Sequence, residues 1–397
     1  MSDLPLQGVR VLAVEQYGAG PYATQHLAEM GADVIKIEPP VGGESARQSG
    51  PHFLGPNESQ FFQAFNLGKQ SLALDMRHAE GKAIFRRLAA TADAVLNNMR
   101  GDQPAKLGLD YASLGTIRPA IVCAHLSGYG RTGSRAAWPG YDYLMQAEAG
   151  FMDLTGEPDG PPTRMGLSIV DYLTGITTAF ALTAALYGAL RTGRGRDIDV
   201  TLYDVAIHQL TYPAAWVLNA DDAITRRPRS GHPSVVPCEV FPTADGQLFV
   251  MAMLPKFWEE LCVAVGLPDL PRDMRFATPK ARYDHRDQLV ALLDPVFGRR
   301  TSAEWMALLA GRVPAAPVLT LRQALASPFL AERGTVQSLE HPLRPGWRAL
   351  ASPVRPDGEV AKAAPAPLFG QHTDAILQSI GIDEAARAAL RAKGVIG

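Results

Sequence analysis

The sequence predicts an α/β protein: a parallel sheet covered by helices, followed by a second, smaller domain. A chain of 397 residues is too long for one ordinary core, so its length suggests two domains. The first two hundred residues alternate short β-rich runs with helical runs, the pattern of a parallel sheet with helical crossovers. From about Asp221 this alternation gives way to a turn-rich linker and a hairpin.

The first half contains six predicted strands and four predicted helices. The strands are predicted at 9–14, 34–38, 71–75, 94–97, 121–126 and 197–202. The helices are predicted at 21–30, 79–92, 172–190 and 204–218. Pro21 fits the first turn of a helix, where no amide donor is missed, and Gly31 ends that helix. Three of the five connections between consecutive strands therefore contain a predicted helix, and a fourth helix follows the last strand.

The second half begins with a linker at 226–233 and a hairpin at 238–252 with an Ala-Asp-Gly turn. Short helices are predicted at 255–265, 286–297 and 301–309. Beyond Ala324 the chain is rich in proline, so loops are expected there, followed by helices at 373–379 and 384–393. This half predicts a small α+β domain and a loop-rich ending.

The composition argues against several classes of function. Hydrophobic residues make up 47% and charged residues 20%, which excludes a disordered chain. A net charge of -2 gives no overall attraction to nucleic acid or to an anionic membrane. Cys123, Cys238 and Cys262 are far apart in the sequence, so neither disulfides nor a metal site is expected. No secretory leader is recognised at the N-terminus, and a cytoplasmic location is expected.

Asp171 directly precedes the uncharged stretch 172–190, which is predicted to form a long apolar helix. A carboxylate at this position is poorly hydrated, and the helix N-terminus would favour its ionised form, which suits a nucleophile. The simpler interpretation is that Asp171 caps the helix, because aspartate is a preferred N-cap residue. The stretch is long enough to cross a bilayer, but it lacks flanking aromatic and basic anchors, so a buried helix is expected.

A glycine turn follows the first predicted strand. Gly18, Gly20 and Ala23 fit the spacing of the dinucleotide-binding fingerprint, and Glu38 lies where a ribose-binding acid is expected. This pattern supports NAD binding, but a tight turn packed by small residues explains it equally well. The sequence alone leaves both interpretations open.

Several cations are candidate ligands for anions. Arg77, Arg100 and Lys106 follow the third and fourth strands, near the expected ligand edge of the sheet, where they could bind phosphates. The arginines at 47, 131, 135 and 164 are candidates to contact a second carboxylate of a substrate. Each of these residues is also compatible with ordinary surface charge.

Several segments, taken together and in order, resemble the class III CoA-transferases, the family that includes formyl-CoA transferase and the carnitine CoA-transferases. The matching segments cover nearly the whole chain: residues 6–12, 31–40, 65–75, 126–130, 155–162, 191–195 and 236–246. The resemblance implies that Asp171 is the catalytic nucleophile. It also implies that CoA, a substrate and not a bound cofactor, takes the place of NAD at the glycine turn.

The resemblance implies a Rossmann-like large domain whose parallel sheet is formed from both chain ends, over residues 1–220 and 325–397. The small domain would then cover residues 221–324, and two chains would form an interlinked homodimer. The positions implied to line CoA are Tyr17, Gly18, Ala19, Arg77, Asn98, Met99, Lys106 and Tyr141. Gly18 is a departure, since formyl-CoA transferase carries glutamine there.

The α-methylacyl-CoA racemases share this fold and are the alternative. They carry Gly-His-Asp where this chain has Gly140-Tyr141-Asp142. Racemisation needs a second acid/base opposite the aspartate, and tyrosine is a much weaker acid than imidazolium. The sequence therefore favours an acyl-CoA:carboxylate CoA-transferase that uses a small carboxylic or dicarboxylic acid and no metal.

Overall fold

A computed structural model describes residues 4–221 and 223–397. The chain forms two compact units, and the larger one comprises residues 4–149, 166–210 and 328–397. The smaller unit comprises residues 150–165, 211–221 and 223–327. Residues 150–165 and 211–220, assigned by the sequence to the larger domain, thus lie in the smaller unit. One reason is Arg226, whose guanidinium donates hydrogen bonds of 2.7 Å to the carbonyl oxygens of Asp153 and Gly160.

The larger unit is built around a six-stranded parallel sheet, which confirms the predicted α/β class. Numbered along the chain, its strands lie in the order β3-β2-β1-β4-β5-β6, the order of a doubly wound dinucleotide-binding fold. The strands are β1 (Arg10–Val14), β2 (Asp33–Glu38), β3 (Gln70–Ala73), β4 (Ala94–Asn97), β5 (Val122–Ser127) and β6 (Asp197–Thr201). β1, β4 and β5 are almost wholly buried because helices cover both faces.

All six strands come from the first 201 residues, so the expectation that both chain ends form the sheet is wrong. The C-terminal segment joins the larger unit by packing instead. Ile376 and Leu377 lie in the same buried cluster as Leu72 of β3. A single antiparallel bridge links Ile396 to Leu74. The apolar C-terminus thus completes the core without adding a strand.

The helices of the larger unit connect and cover the strands. Those of at least seven residues are Ala19–Glu29, Ala79–Ala89, Asp142–Glu148, Ile169–Thr192, Leu202–Gln209, Thr373–Ser379 and Glu384–Ala392. Shorter ones are Gln60–Phe65, Pro104–Leu107, Tyr111–Leu114 and Pro328–Glu332. Two hairpins add Phe53–Gly55 with Glu58–Ser59, and Val336–His341 with Arg344–Leu350. The second hairpin was expected to be loop, because Pro342, Pro345 and Pro353 obscured its strands.

Ile169–Thr192, called the long helix below, packs against Ala19–Glu29, the first helix. A side chain at Gly175 would lie 2.9 Å from the Ala19 carbonyl oxygen, so this glycine permits the close approach. Within the described chain the long helix alone is long and apolar enough to cross a membrane by length and composition. Its buried side chains include Val170 and Leu182, while Phe180 is exposed. The absence of membrane insertion stays a prediction.

The smaller unit contains a three-stranded antiparallel sheet in the order Ala315–Pro317, Gln247–Met251, Cys238–Pro242. Its helices are Phe151–Leu154, Thr211–Ala220, Pro255–Ala264, Pro279–Asp284, Arg286–Phe297, Ser302–Leu309 and Leu321–Leu325. Its core includes the buried side chains of Phe241, Trp258 and Trp305. The predicted helix 204–218 is two helices, since Thr211 has a left-handed φ of 43° and Pro213 lacks an amide donor.

Candidate active site

A cavity of about 380 Å³ opens at the carboxyl ends of β1 and β4, the two strands between which the strand order reverses. Ligands of open α/β sheets bind at such a switch point, because the loops after the two strands diverge there. The lining residues come from four segments: 16–19, 98–103, 126–128 and 139–141, together with Asp171 and Leu202. The chain therefore offers one carboxylate among glycines and polar side chains.

Asp171 is the third residue of the long helix and does not cap it. The helix begins at Ile169, and Ser168 occupies the cap position without a side-chain hydrogen bond. The backbone amide of Asp171 instead donates a 3.0 Å hydrogen bond to Oδ2 of Asp142. The carboxylate of Asp171 therefore lies on the cavity wall, where it is available to a ligand.

Burial, together with the negative charge of Asp142, raises the pKa of the Asp171 carboxyl from its usual 3.8 to about 7. Burial and the charge of Asp142 thus outweigh the effect of the helix N-terminus, which was expected from the sequence to favour the ionised form. Near neutral pH Asp171 is present in both states. Its ionised form is poorly hydrated and more basic than an ordinary aspartate, two properties that make a carboxylate a better nucleophile.

Gly18 lies directly against the Asp171 carboxylate. A Cβ at this position would overlap Oδ2 of Asp171, so only glycine fits without displacing it. Tyr17, immediately before it, has a left-handed φ of 70°, which is uncommon for a residue with a side chain. The turn thus brings backbone close to the Asp171 carboxylate and leads into the first helix, which starts at Ala19.

Asn98 fixes this turn from the neighbouring strand. Its side chain accepts a 2.9 Å hydrogen bond from the Gln16 amide and donates one of 2.6 Å to the Gln16 carbonyl oxygen. A Cβ at Gly20 would lie 2.9 Å from Cγ of Asn98, so the second glycine of the fingerprint permits this contact. The glycines therefore bring β1, the first helix and the loop after β4 together.

Two further glycines shape the opposite wall. A Cβ at Gly128 would lie 2.8 Å from the Cα of Gly140, so the two backbones cross with no room for side chains. Tyr141 follows this crossing and is 64% exposed. Asp142 is buried and also accepts a 2.6 Å hydrogen bond from Nε2 of Gln146. The Gly140-Tyr141-Asp142 segment therefore places a second carboxylate behind Asp171.

The structure brings most of the predicted site residues into this one cavity: Tyr17, Gly18, Ala19, Asn98, Met99, Tyr141 and Asp171. Arg77 lines a neighbouring cavity of about 370 Å³ that shares Gln16, Asn98 and Met99 with the first. Lys106 lines neither cavity, and its ammonium pairs with Asp102 at 2.8 Å. The predicted roles of all these positions in CoA binding stay predictions.

Sequence reasoning missed Gln16, Gln103 and Ser127, which line the cavity, and Asp142, which contacts the backbone of Asp171. Asp142 belongs to the Gly140-Tyr141-Asp142 segment, in which the sequence comparison with the racemases points only to Tyr141. Its contact with Asp171 spans 29 positions along the chain, and no local pattern predicts it. Arg100, proposed from sequence as a phosphate ligand, does line the cavity.

NAD binding at the glycine turn would require the Glu38 carboxylate to accept a hydrogen bond from the ribose, but this carboxylate is already occupied. It is fully buried and accepts hydrogen bonds of 2.7 and 2.8 Å from the Arg47 guanidinium and of 2.7 Å from the Ser71 hydroxyl. Arg47 is equally enclosed, since it also pairs with Glu58 at 2.9 Å. Arg47 is therefore unavailable to a second substrate carboxylate.

The other proposed carboxylate ligands are also engaged. Arg131 pairs with Asp199 at 2.6 Å, and Arg135 pairs with Glu148. Arg164 is exposed and donates to the carbonyl oxygen of Met165. Across residues 4–221 and 223–397, no cluster of three or more histidine, cysteine, aspartate or glutamate side chains is suited to a metal ion. The three cysteines are unpaired and buried.

The fold and this site define a class of protein: the sequence profile of CoA-transferase family III matches residues 6–373, so the chain belongs to that family. It is 36% identical over 389 residues to a succinate–glutarate CoA-transferase of Agrobacterium fabrum, covering 95% of this chain and 96% of that protein. It is 34% identical to the succinyl-CoA:glutarate CoA-transferase of Mus musculus, covering 99% and 90%.

Solved structures agree with this assignment. A CaiB/BaiF family protein from Brucella suis matches with a TM-score of 0.83 at 33% identity, covering 96% of this chain and 100% of that one. This chain is accordingly a CoA-transferase of family III with an α/β fold. With this family assignment, the interpretation of the glycine turn as the NAD site of a dehydrogenase has no support.

Proposed function

We propose that this enzyme transfers CoA from a CoA thioester to a small dicarboxylic acid, with succinyl-CoA and a glutarate-like acid as the preferred pair. The observation that carries the proposal is Asp171, a carboxylate with a pKa of about 7 on the wall of the switch-point cavity, in contact with a glycine turn. The names of the bacterial and murine relatives support the dicarboxylate substrate.

In the proposed mechanism an oxygen of ionised Asp171 attacks the thioester carbonyl. The carbon–sulfur bond breaks, CoA thiolate leaves, and a mixed anhydride forms. The thiolate then attacks the aspartyl carbonyl, which gives an aspartyl-CoA thioester and frees the donor acid. The acceptor carboxylate repeats these two steps in reverse and regenerates Asp171. Each step exchanges a carboxylate for a thiolate, so no net proton transfer, metal or bound cofactor is required.

We propose that CoA extends across both cavities, because they share Gln16, Asn98 and Met99. The thioester would lie beside Asp171 and Gly18, with Tyr17, Ala19 and Tyr141 around it. Arg77 would meet a phosphate at the far end, and Lys106 would need to leave Asp102 to do the same. The backbone amides of Gly18 and Ala19 open the first helix and are suited to stabilise an oxyanion on the attacked carbonyl.

Arg100 is our candidate for the distal carboxylate of the dicarboxylic acid. It lines the cavity that holds Asp171, and its half-exposed guanidinium lies 3.6 Å from Asp102 and 3.3 Å from the Ala137 carbonyl oxygen. The shorter of these two contacts exceeds the shortest contacts of Arg47 and Arg131, which are 2.7 and 2.6 Å. We therefore expect Arg100→Met to raise the KM for glutarate about tenfold or more, with little change for a monocarboxylate of equal length.

Transfer is favoured over racemisation because Tyr141 stands where the racemases carry histidine. A racemase needs two acid/base groups facing the substrate carbon. The acidic neighbour of Asp171 is Asp142, which does not line the cavity and whose oxygens accept hydrogen bonds from the Asp171 amide and from Gln146. If the enzyme incorporates deuterium from D2O at the α-carbon of a 2-methylacyl-CoA, the racemase function would be supported instead.

The experiment is a transfer assay with succinyl-CoA and a series of mono- and dicarboxylic acids, performed on the wild type, Asp171→Asn and Asp204→Asn. Asp204 is a matched control, since it also lies in the first turn of a helix but outside the cavity. We expect transfer to glutarate in the wild type and the control, and a loss of at least about a thousandfold in Asp171→Asn. Full activity in Asp171→Asn would overturn the proposal.

We further propose that the enzyme works as an interlinked homodimer in the cytoplasm. The exposed apolar side chains Ile176, Phe180, Tyr187 and Leu190 on the long helix support a partner surface of the same chain. Three unpaired, buried cysteines are compatible with a reducing compartment. Light scattering that gives the mass of a single chain at micromolar concentration would contradict the dimer.

A further inference from the structure

The turn that faces Asp171 is held by buried charges that lie outside the cavity containing Asp171, although Glu15 and Glu44 line the neighbouring cavity. This turn, Glu15–Pro21, carries Tyr17, Gly18 and Ala19 on the cavity wall. Tyr17 keeps its left-handed φ of 70° within it. A residue with a side chain stays in this conformation only when its surroundings hold it there.

Lys69 links the two ends of the turn. Its buried ammonium donates hydrogen bonds of 2.8 Å to the Glu15 carboxylate, 2.9 Å to the Pro21 carbonyl oxygen and 2.9 Å to Oδ1 of Asn66. Glu15 precedes the turn's exposed part and Pro21 follows it. One side chain from the segment before β3 therefore fixes the distance between the end of β1 and the first helix.

Lys36 fixes the middle of the turn through Glu44. Its ammonium, also fully buried, lies 2.8 Å from Oε1 of Glu44 and 3.2 Å from the Glu15 carbonyl oxygen. The other oxygen of Glu44 accepts a 2.7 Å hydrogen bond from the Tyr17 amide. The two lysines and two glutamates balance in charge, and each chain of contacts ends on the backbone of the turn.

We infer that Lys69, supported by the Lys36–Glu44 pair, is a positioning residue that holds the Tyr17–Gly18 backbone against the Asp171 carboxylate. The inference rests on the proposed function of Asp171. Lys69 reaches no reacting atom, since it does not line the cavity. It acts through Pro21 and Glu15, whose separation determines where Gly18 lies. A loosened turn would leave the thioester misaligned with its nucleophile, which lowers kcat more than substrate affinity.

The protonation of Lys69 gives the inference a pH dependence. Burial lowers the pKa of its ammonium to about 8, against the opposing attraction of Glu15. The charged groups that face it are Glu15, Lys36 and Glu44. A neutral amine has two N–H donors for the three acceptors around it, so one bond is lost above this pH. We expect kcat to fall as pH rises through about 8.

The test compares Glu15→Gln with Glu15→Gln/Lys69→Met. The two variants differ only at Lys69. Both carry glutamine at position 15, so that removing the lysine does not leave a buried carboxylate there without its cation. We expect kcat for succinyl-CoA and glutarate to be at least about tenfold lower in the double variant, with KM changed less than about threefold. Hydrogen exchange of a peptide spanning residues 15–24 should be faster in the double variant, with other peptides unchanged.

Arg282→Met controls for the loss of a buried cation. Arg282 is 1% exposed and donates to the carbonyl oxygens of Val236 and Phe276 in the smaller unit. We expect this variant to lose stability and keep the wild-type kcat. Equal kcat in Glu15→Gln and the double variant, with only a lower Tm, would overturn the inference. Inactivity of the wild type in the same assay would contradict the proposed function instead.

Should the double variant fail to fold, the wild type supplies the answer. NMR of lysine labelled at Cε gives the pKa of Lys69, and kcat is measured over the same pH range. The inference expects kcat to fall with the titration of Lys69. A kcat that stays constant while Lys69 loses its proton would overturn it.

Discussion

Glu15 begins the turn that Asp171 faces, and the pKa values of these two buried carboxyls shift in opposite directions because their charged neighbours differ. Burial alone would raise the pKa of Glu15, but Lys69 at 2.8 Å and Lys36 at 3.7 Å hold it below its usual value. Asp171 has no such cation, and Asp142 adds a second negative charge, so its pKa rises to about 7. The comparison teaches that the protein pairs the carboxylate of the turn with cations and leaves Asp171, the proposed nucleophile, without one.

The largest effect on activity is expected from a substitution that adds a side chain where the turn touches Asp171. Gly18→Ala places a methyl group where Oδ2 of Asp171 lies, so the carboxylate must move. We expect kcat to fall about a hundredfold, since small misplacements of a reacting group are costly. Steady-state transfer kinetics measure this loss.

Gly188→Ala is the matched control for that substitution. A Cβ at Gly188, within the long helix, would have no atom within 4 Å outside the local helix backbone. We expect wild-type kcat and a gain of about 0.5–1 kcal/mol in the free energy of unfolding, because alanine is the better helix former. A kcat loss as large as that of Gly18→Ala would show that the contact with Asp171 is not the cause.

The next effect tests the role of Asp142. Asp142→Asn removes the second negative charge and keeps an oxygen for the Asp171 amide. Because Asp142 raises the pKa of Asp171, we expect the acidic limb of the kcat/KM profile to move from about pH 7 toward lower pH. The rate at pH 6 should then rise several-fold relative to the rate at pH 8.

Glu148→Gln on the same helix is its control. Glu148 pairs with Arg135 outside the cavity, so its loss should leave the acidic limb where it is. If the kcat/KM–pH profiles of Asp142→Asn and Glu148→Gln coincide, Asp142 does not raise the pKa of Asp171. The pKa of about 7 would then need another cause.

The smallest expected effect is on stability. The folded-state pKa of Asp171, about 7, is raised above its ordinary value of 3.8, so the folded state binds the extra proton between these values. The stability of the wild type therefore falls as pH rises from about 4 to about 7, and this contribution is absent from Asp171→Asn. We expect the Tm of Asp171→Asn to match the wild type near pH 4 and to exceed it by a few degrees at pH 8. A Tm difference independent of pH would contradict the raised pKa.

The sequence predicted the elements whose signals are local. The six strands of the sheet lie within one or two residues of their predicted positions, because each is a short β-rich run bounded by turn residues. The helices 286–297 and 373–379 were predicted to the residue. The glycine turn and Asp171 were singled out for the same reason, since both are visible in a few consecutive residues.

What the sequence missed depends on contacts between distant segments. The proximity of Asp142 to Asp171 requires the fold, as does the enclosure of Glu38 by Arg47. Position in the helix mattered too: Asp171 lies three residues after Ser168, so it does not cap. The C-terminal segment was expected to add to the sheet, but its apolar residues only pack beside it. Such outcomes depend on tertiary packing, which a single sequence does not encode locally.

The most direct test of the central claim is to trap the acylated carboxylate. The enzyme is incubated with succinyl-CoA and then reduced with borohydride, which converts an aspartyl thioester into an alcohol, and the peptides are analysed by mass spectrometry. We predict reduction at Asp171 alone, dependent on succinyl-CoA and prevented when glutarate is added first in excess to discharge the thioester. An unmodified Asp171 in enzyme that transfers CoA at the normal rate would contradict the covalent mechanism.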